Sequence, residues 1–328
     1  MDKKELAAVF DEAEKDQSLN GAILVSQNGE VLFEKAYGYA SWQLGVPNTL
    51  ETKFHIASVT KMFIAMAALK LYEQGLIELR ARPADYLPEL AVLNKDITLH
   101  HLLSHTSGLQ DIYDVPHLRF EMYRLKKEQQ NLLSYLVKLP LLFPVGERWS
   151  YSSTGYILMG YIMEEVTGLS FAALMHQLIL APLSMTNTGQ DSPRRINPGR
   201  AYGHTMWNGE LSNASNDRLS MFEEAPGELY STVLDLKKWC DALFSCPLVS
   251  SETLKLMFTP YGQVDQSLHY GYGCFLAPRF RMHGGGTPGF LARIRQYPEQ
   301  KVSIILLFNS DHMNVEKIIK VLEPLIVG

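Results

Sequence analysis

The chain has 328 residues, 46% of them hydrophobic and 20% charged, a composition that excludes disordered, collagenous and fibrous chains and allows a sizeable core. With 30 basic against 35 acidic side chains the formal charge is −5. No cationic excess exists to neutralise phosphates, so sequence-independent nucleic-acid binding and docking on an anionic membrane are both disfavoured.

The N-terminus, M-D-K-K-E-L-A-A-V-F-D-E, turns acidic within a few residues and lacks the apolar stretch of a secretory signal. The chain as it stands is therefore expected in the cytoplasm, and outside it only if a leader has been removed. No apolar run reaches the roughly 18 residues of a membrane span, so no transmembrane segment is expected. Residues 3–16 carry apolar positions at helical spacing. G-A-I-L-V-S-Q, the pair Asn28-Gly29 and E-V-L-F-E-K-A-Y then predict a β-hairpin. From Ser58 a long apolar helix runs to a glycine stop at Gly75.

From Pro83 to about residue 190 the pattern stays helical, with helices predicted near 98–104, 117–137, 153–166 and 170–180. The polar, Gly- and Pro-rich stretch 191–228 reads as a long loop. A helix over 232–244, strands near 270–277, 290–297 and 301–308, and an amphipathic helix over 313–325 complete the chain. Strands at both ends around a helical middle predict an α+β fold: an antiparallel β-sheet flanked by helices, with an inserted helical subdomain. The expected division is 1–57 and 226–328 for the sheet region, 58–200 for the helical region and 201–225 for a connecting loop, all within one composite catalytic domain.

Three segments carry candidate chemistry. In Ser58-Val59-Thr60-Lys61, residues three apart on a helix share a face, so Lys61 can reach the Ser58 hydroxyl as a base reaches a nucleophile. Apolar neighbours Phe54, Ile56, Met62 and Phe63 would disfavour the charged lysine, while the helix start favours an anion beside Ser58. The second segment is Trp149-Ser150-Tyr151-Ser152-Ser153-Thr154, where Ser152 and Ser153 read first as helix caps and Tyr151 as a core residue. The third, Met282-His283-Gly284-Gly285-Gly286-Thr287-Pro288-Gly289, contains G-x-G-x-x-G but no surrounding strand-helix unit, so a dinucleotide site is rejected. Its glycines, placed ahead of a strand, instead allow close backbone approach and offer N–H donors.

Other residues carry less. Cys240, Cys246 and Cys274 are an odd count without C-x-x-C spacing and read as reduced thiols. His101 and His105 are four apart, yet no third ligand is apparent, so they read as structural and no metal site is expected. Arg119, Arg124, Lys126 and Lys127 are interrupted by acids and read as a solvated helix face. Tyr202, Trp207 and Tyr230 read equally as acyl-pocket lining or as core.

Taken in order, S-V-T-K, Y-S-S and H-G-G resemble the motifs S-x-x-K, Y-x-N and K-T-G or H-x-G of the serine β-lactamase and penicillin-binding protein family, in its class C-like branch of β-lactamases, D,D-carboxypeptidases, D-aminopeptidases and esterases. Similar stretches at 97–109, 143–151 and 228–239 extend the resemblance from about residue 18 to 310. The resemblance implies a β-lactamase/transpeptidase-like fold and a serine hydrolase working without a cofactor. Ser58 would be the acylated nucleophile and Lys61 its proton partner. Tyr151 would be a second proton-transfer group, and His283 would support the proton network and hold a substrate carboxylate or carbonyl. The oxyanion would be met by the N–H groups of Ser58 and Gly286, with Gly284, Gly285 and Ser153 beside the substrate.

Ser153 stands where the family pattern has Asn, which argues against efficient β-lactam turnover. His283 in place of Lys points toward peptidases or esterases. The expected partner is a small-molecule ester, a D-amino-acid peptide or a β-lactam. The rival expectation is a non-catalytic penicillin-binding or scaffold protein with impaired deacylation.

Overall fold

The computed structural model describes Leu6, Phe10 and residues 19–115, 129–192, 195–214 and 228–327. In chain order it opens on β1 (Gly21–Gln27) and β2 (Glu30–Tyr37). These are joined by Asn28 and Gly29, both at positive φ, as a tight hairpin turn requires. Short strands β3 (Tyr39–Ser41), β4 (Val46–Pro47) and β5 (Phe54–His55) follow. A one-turn 3-10 segment, Ala57–Val59, leads into α1 (Thr60–Glu73).

The helical middle contains α2 (Leu99–Leu103), α3 (Gln129–Leu136), α4 (Ser153–Thr167) and α5 (Phe171–Met175). The remainder of the expected 170–180 helix, His176–Leu180, is wound as a π-turn. Of the helix expected over 117–137, only the part from Gln129 falls within the described residues.

Next come β6 (Gly189–Gln190), the hairpin β7 (His204–Trp207) with β8 (Glu210–Asn213), and β9 (Leu229–Ser231). The expected 201–225 loop thus holds a hairpin. Its turn, Asn208-Gly209, lies at positive φ and was masked in the sequence by the polarity around it. After β9 come α6 (Val233–Ser245) and α7 (Ser251–Met257), then β10 (Gly262–Gln263), β11 (His269–Tyr270) and β12 (Phe275–Leu276). The single strand expected over 270–277 is therefore a pair, reversed through Gly273 at positive φ. The chain closes with β13 (Arg281–Thr287), β14 (Phe290–Tyr297), β15 (Val302–Phe308) and α8 (Val315–Val327).

Among the described residues the main sheet has eight strands in the order β10-β11-β12-β13-β14-β15-β1-β2, and its pairings are antiparallel. Strands from near both ends of the chain meet one strand in from its β2 edge, where Gly21–Gln27 pairs with Val302–Phe308. Every residue of β15 is buried, because alternate side chains enter two different cores. Ile305 and Leu307 face the large core containing α1, α4 and α6. Ile304, Leu306 and Phe308 face a smaller core made with Leu6, Phe10 and the Val315, Ile319 and Leu322 stripe of α8. Helix α1 is buried over eleven of its fourteen residues, with Phe63 stacked on Trp239 of α6 at 4.2 Å. That burial anchors α1 as the floor of the site. No single helix among the described residues is long and apolar enough to cross a membrane.

Candidate active site

The start of α1, the start of α4 and the strand β13 converge on one open cleft of about 440 Å³, whose lining includes Ser58, Tyr151, His283, Gly284, Gly285 and Gly286. Ser58 sits on the 3-10 segment directly after Ala57, which is held at φ +44. Left-handed backbone at a residue with a Cβ costs of order 1 kcal/mol or more, and here it forms the elbow that turns Ser58 toward the cleft. Lys61, in the first turn of α1, donates to Ser58 Oγ at 3.2 Å and to Ser153 Oγ at 3.4 Å. Its ammonium also lies over the rings of Tyr151 and Tyr156, 4.9 and 5.7 Å from their centroids. Two hydroxyls and two ring faces thus hold the lysine head, in place of the purely apolar setting expected from the adjacent sequence.

The expected caps Ser152 and Ser153 play different parts. Ser152 occupies the N-cap of α4 but makes no side-chain capping bond. The carboxylate of Asp111 supplies the cap instead, accepting from the Ser153 N–H at 3.0 Å. That arrangement leaves Ser153 Oγ available to Lys61. Asp111 comes from a distant segment and was not singled out in the sequence; only a long-range contact gives it this role.

His283 and the three glycines lie within β13, and not ahead of a strand as the sequence suggested. Beside β13, β12 pairs only with Met282 and Arg281, so the edge from His283 to Thr287 is left bare of a strand partner among the described residues. A two-residue turn at Pro288-Gly289 makes Thr287 and Phe290 the closing pair of the hairpin. By antiparallel alternation Gly286 is then a non-hydrogen-bonded pair with Leu291, and its N–H points out along the bare edge. At Gly285 β13 closely approaches the segment that carries Ser58: a Cβ there would stand 2.1 Å from the Ile56 carbonyl oxygen and 3.0 Å from the Ser58 nitrogen. Only glycine allows that approach.

His283, expected to support the proton network and to hold a substrate carboxylate or carbonyl, is a buried ring. It is 1% exposed, with Nδ1 against the Gly284 carbonyl at 2.7 Å and Nε2 against the Tyr270 hydroxyl at 3.1 Å. Nδ1 therefore carries the proton and Nε2 accepts from Tyr270. Burial, then the nearby Lys61 charge, push its pKa down to about 3, so the ring is neutral at physiological pH. The cation lining the cleft is Arg293 of β14, tied to Glu316 at 2.8 Å. A Cβ on Gly284 would come within 3.2 Å of its guanidinium carbon, so the bare glycine gives that group its space. Sequence reasoning passed over Arg293 because strand arginines carry no motif.

Tyr202 and Trp207 are exposed on and beside the β7–β8 hairpin at 52% and 69%, and Tyr230 lies under Lys53. None of the three lines the cleft. His101 accepts from the Thr98 N–H at 3.1 Å, closing the start of α2. No group of three metal-ligating side chains occurs among the described residues. Cys240 and Cys274 are buried thiols whose pKa burial raises to about 12.

A family model described as Beta-lactamase matches residues 6–321. The chain belongs to the beta-lactamase family. Among its relatives in that family, a penicillin-binding protein of Bacillus subtilis (strain 168) is 26% identical over 99% of this chain and 76% of its own length. Esterase EstB of Burkholderia gladioli is 35% identical over 56% of this chain and 50% of its own length. The crystal structure of a penicillin-binding protein from Bacillus halodurans superposes with a TM-score of 0.86 at 24% identity, covering 98% of this chain and 99% of that one. The beta-lactamase-family fold is thereby matched across the whole sheet and helical region, and the family's relatives include both penicillin-binding proteins and an esterase.

Proposed function

We propose that the protein is a serine hydrolase that forms an acyl-enzyme on Ser58 and cleaves small esters or D-amino-acid amides. The observation that carries this reading is the 3.2 Å contact between Lys61 Nζ and Ser58 Oγ at the cleft. In the proposed reaction the Lys61–Tyr151 pair carries one proton fewer than ammonium plus phenol, as free amine or as phenolate, and takes the Ser58 proton as Oγ attacks the substrate carbonyl. The oxyanion that forms is met by the N–H groups of Ser58 and Gly286, preorganised donors of the kind whose loss costs about 10²–10³ in rate. The scissile bond breaks as the leaving group takes that proton; water then attacks the acyl-Ser58 ester with the same pair as base, the acyl–Oγ bond breaks to release the acid, and the pair returns the water's proton to Ser58 Oγ.

The neutral state of His283 supports the preference for neutral esters, since it supplies no fixed charge for a carboxylate. A second reading, a D,D-carboxypeptidase or penicillin-interactive activity, is favoured by one observation: Arg293 brings a guanidinium to the same cleft. Guanidinium pairs strongly with carboxylates, and D-Ala-D-Ala peptides and penicillins both carry one. The rival reading, a scaffold that cannot deacylate, drew on the absence of the motif's Asn. Ser153 retains a hydrogen bond from Lys61, and this weighs for a working proton network.

The test is an intact-mass time course of the parent and Ser58→Ala with a chromogenic neutral ester and with benzylpenicillin, reading products from the same samples. Ester turnover that vanishes in Ser58→Ala supports the hydrolase; a lasting penicillin adduct without turnover supports the impaired-deacylation reading. Hydrolysis unaffected by Ser58→Ala would move the site elsewhere.

A further inference from the structure

His105 does not line the cleft, yet it is 1% exposed at the centre of the aromatic cluster behind it. Its ring centroid lies 4.4 Å from that of Tyr151, 4.6 Å from Tyr270 and 5.1 Å from Tyr156. Two backbone hydrogen bonds give the residue a more specific place. The Ser150 N–H donates to the His105 carbonyl at 2.9 Å, and the Ser152 N–H donates to His105 Nδ1 at 3.1 Å. The amides on either side of Tyr151 are therefore both held by one residue.

The backbone at His105 is left-handed, at φ +58, a conformation that His, Asn and Asp adopt more readily than other side chains with a Cβ. It lets carbonyl and side chain address the same strand of chain. Because Nδ1 accepts an N–H, the ring proton must sit on Nε2. Burial, with the nearby Lys61 and His283, holds the imidazole well below its ordinary range, so the acceptor persists at neutral pH. Nε2 finds no hydrogen-bond partner among the described residues. A histidine kept for packing alone would not need a nitrogen there; one kept as an acceptor must have one.

We propose that His105 is a positioning residue for Tyr151: its carbonyl and Nδ1 accept the hydrogen bonds of the flanking amides and so fix the Tyr151 phenol against the Ser58–Lys61 pair. The inference rests on the acyl-enzyme reading in that Tyr151 is taken as a proton-transfer group. Positioning through a hydrogen-bond acceptor and packing of a ring make opposite demands on two substitutions. His105→Asn keeps an acceptor near the Nδ1 position and tolerates the left-handed backbone but loses the ring. His105→Phe keeps the ring and loses the acceptor.

Measured on a neutral ester, His105→Phe should lower kcat by about 10² with little change in KM, the cost of misplacing a catalytic group by about 1 Å. His105→Asn should stay within about tenfold of the parent, and in a Tyr151→Phe background His105→Phe should cost less than about threefold more. Fluorine NMR of fluorotyrosine-labelled protein, with the Tyr151 signal identified by Tyr151→Phe, reads the position without turnover. That signal should shift or broaden in His105→Phe and be restored in His105→Asn. If His105→Phe does not fold, His105→Leu takes its place as the acceptor-free variant.

His105→Asn slower than His105→Phe, multiplicative losses with Tyr151→Phe, or an unmoved Tyr151 signal in the acceptor-free variant would each overturn the proposal. Loss of the acyl-enzyme reading is seen separately, as parent hydrolysis that survives Ser58→Ala, and the NMR comparison still decides whether His105 positions Tyr151.

Discussion

Gly285→Ala perturbs a point where β13 rests on the segment that carries Ser58. The added Cβ would lie 2.1 Å from the Ile56 carbonyl oxygen, 3.0 Å from the Ser58 nitrogen and 3.1 Å from the Ala57 Cβ, where ordinary contact begins near 3.4 Å. The two nearest atoms are backbone, and Ala57 is already at φ +44, so no flexible side chain can absorb the overlap. The Ser58 segment and β13 must separate by roughly 1 Å, and a displacement of that size costs on the order of 10² in rate if Ser58 is the nucleophile. Overpacking of this kind also removes about 1–3 kcal/mol of stability. In Gly286→Ala, by contrast, the nearest contact is Leu291 Cδ2 at 3.4 Å, and the N–H is retained.

The assay is kcat/KM on a neutral ester together with the rate of labelling by an active-serine phosphonate and a thermal melt. Gly285→Ala should lose about 10²–10³ in both rates, combining misplacement with weakened oxyanion donation. Gly286→Ala should lose far less. Equal losses in the two variants, or a Gly285→Ala enzyme within about threefold of the parent, would refute the argument from close approach.

Lys61→Ala and Tyr151→Phe should each slow acylation by about 10² or more in a stopped-flow burst experiment, and unchanged bursts in both would remove their assigned proton-transfer roles. Arg293→Gln should raise KM for a D-Ala-D-Ala peptide by about tenfold, with a much smaller change for a neutral ester, because only the peptide presents a carboxylate to the guanidinium. Equal effects on both substrates would count against an anion subsite. Stability should fall with pH from about 6.5 toward 3, because the folded-state pKa of His283 is depressed to about 3 and the unfolded chain takes up that proton first. Each such histidine withdraws about 1.4 kcal/mol per pH unit in that window. Denaturant melts across it should show a shallower decline in His283→Gln than in the parent, and parallel declines would show that His283 is not a source of the slope.

The elements whose pattern is local were legible in the chain. The Asn28-Gly29 hairpin, the apolar helix beginning beside Ser58 and the alternating strands near 290 and 302 follow from turn chemistry and periodicity, which neighbouring residues set by themselves. The elements missed were the shortest ones. The pair β11–β12 and the hairpin β7–β8 are too short to show a period, and α7 was passed over within a segment of mixed composition.

The site divides along the same line. Order and residue type along the chain determined that Ser58, Lys61, Tyr151 and the His283–Gly286 run are its candidates, because each motif brings its own spacing. Only the tertiary structure decided that His283 is buried and neutral, that Asp111 caps α4 so that Ser153 can meet Lys61, that Arg293 supplies the cleft's cation, and that Gly285 must lack a side chain. Protonation state, capping partner and steric clearance depend on groups far apart in sequence that only folding brings within a few ångströms of each other.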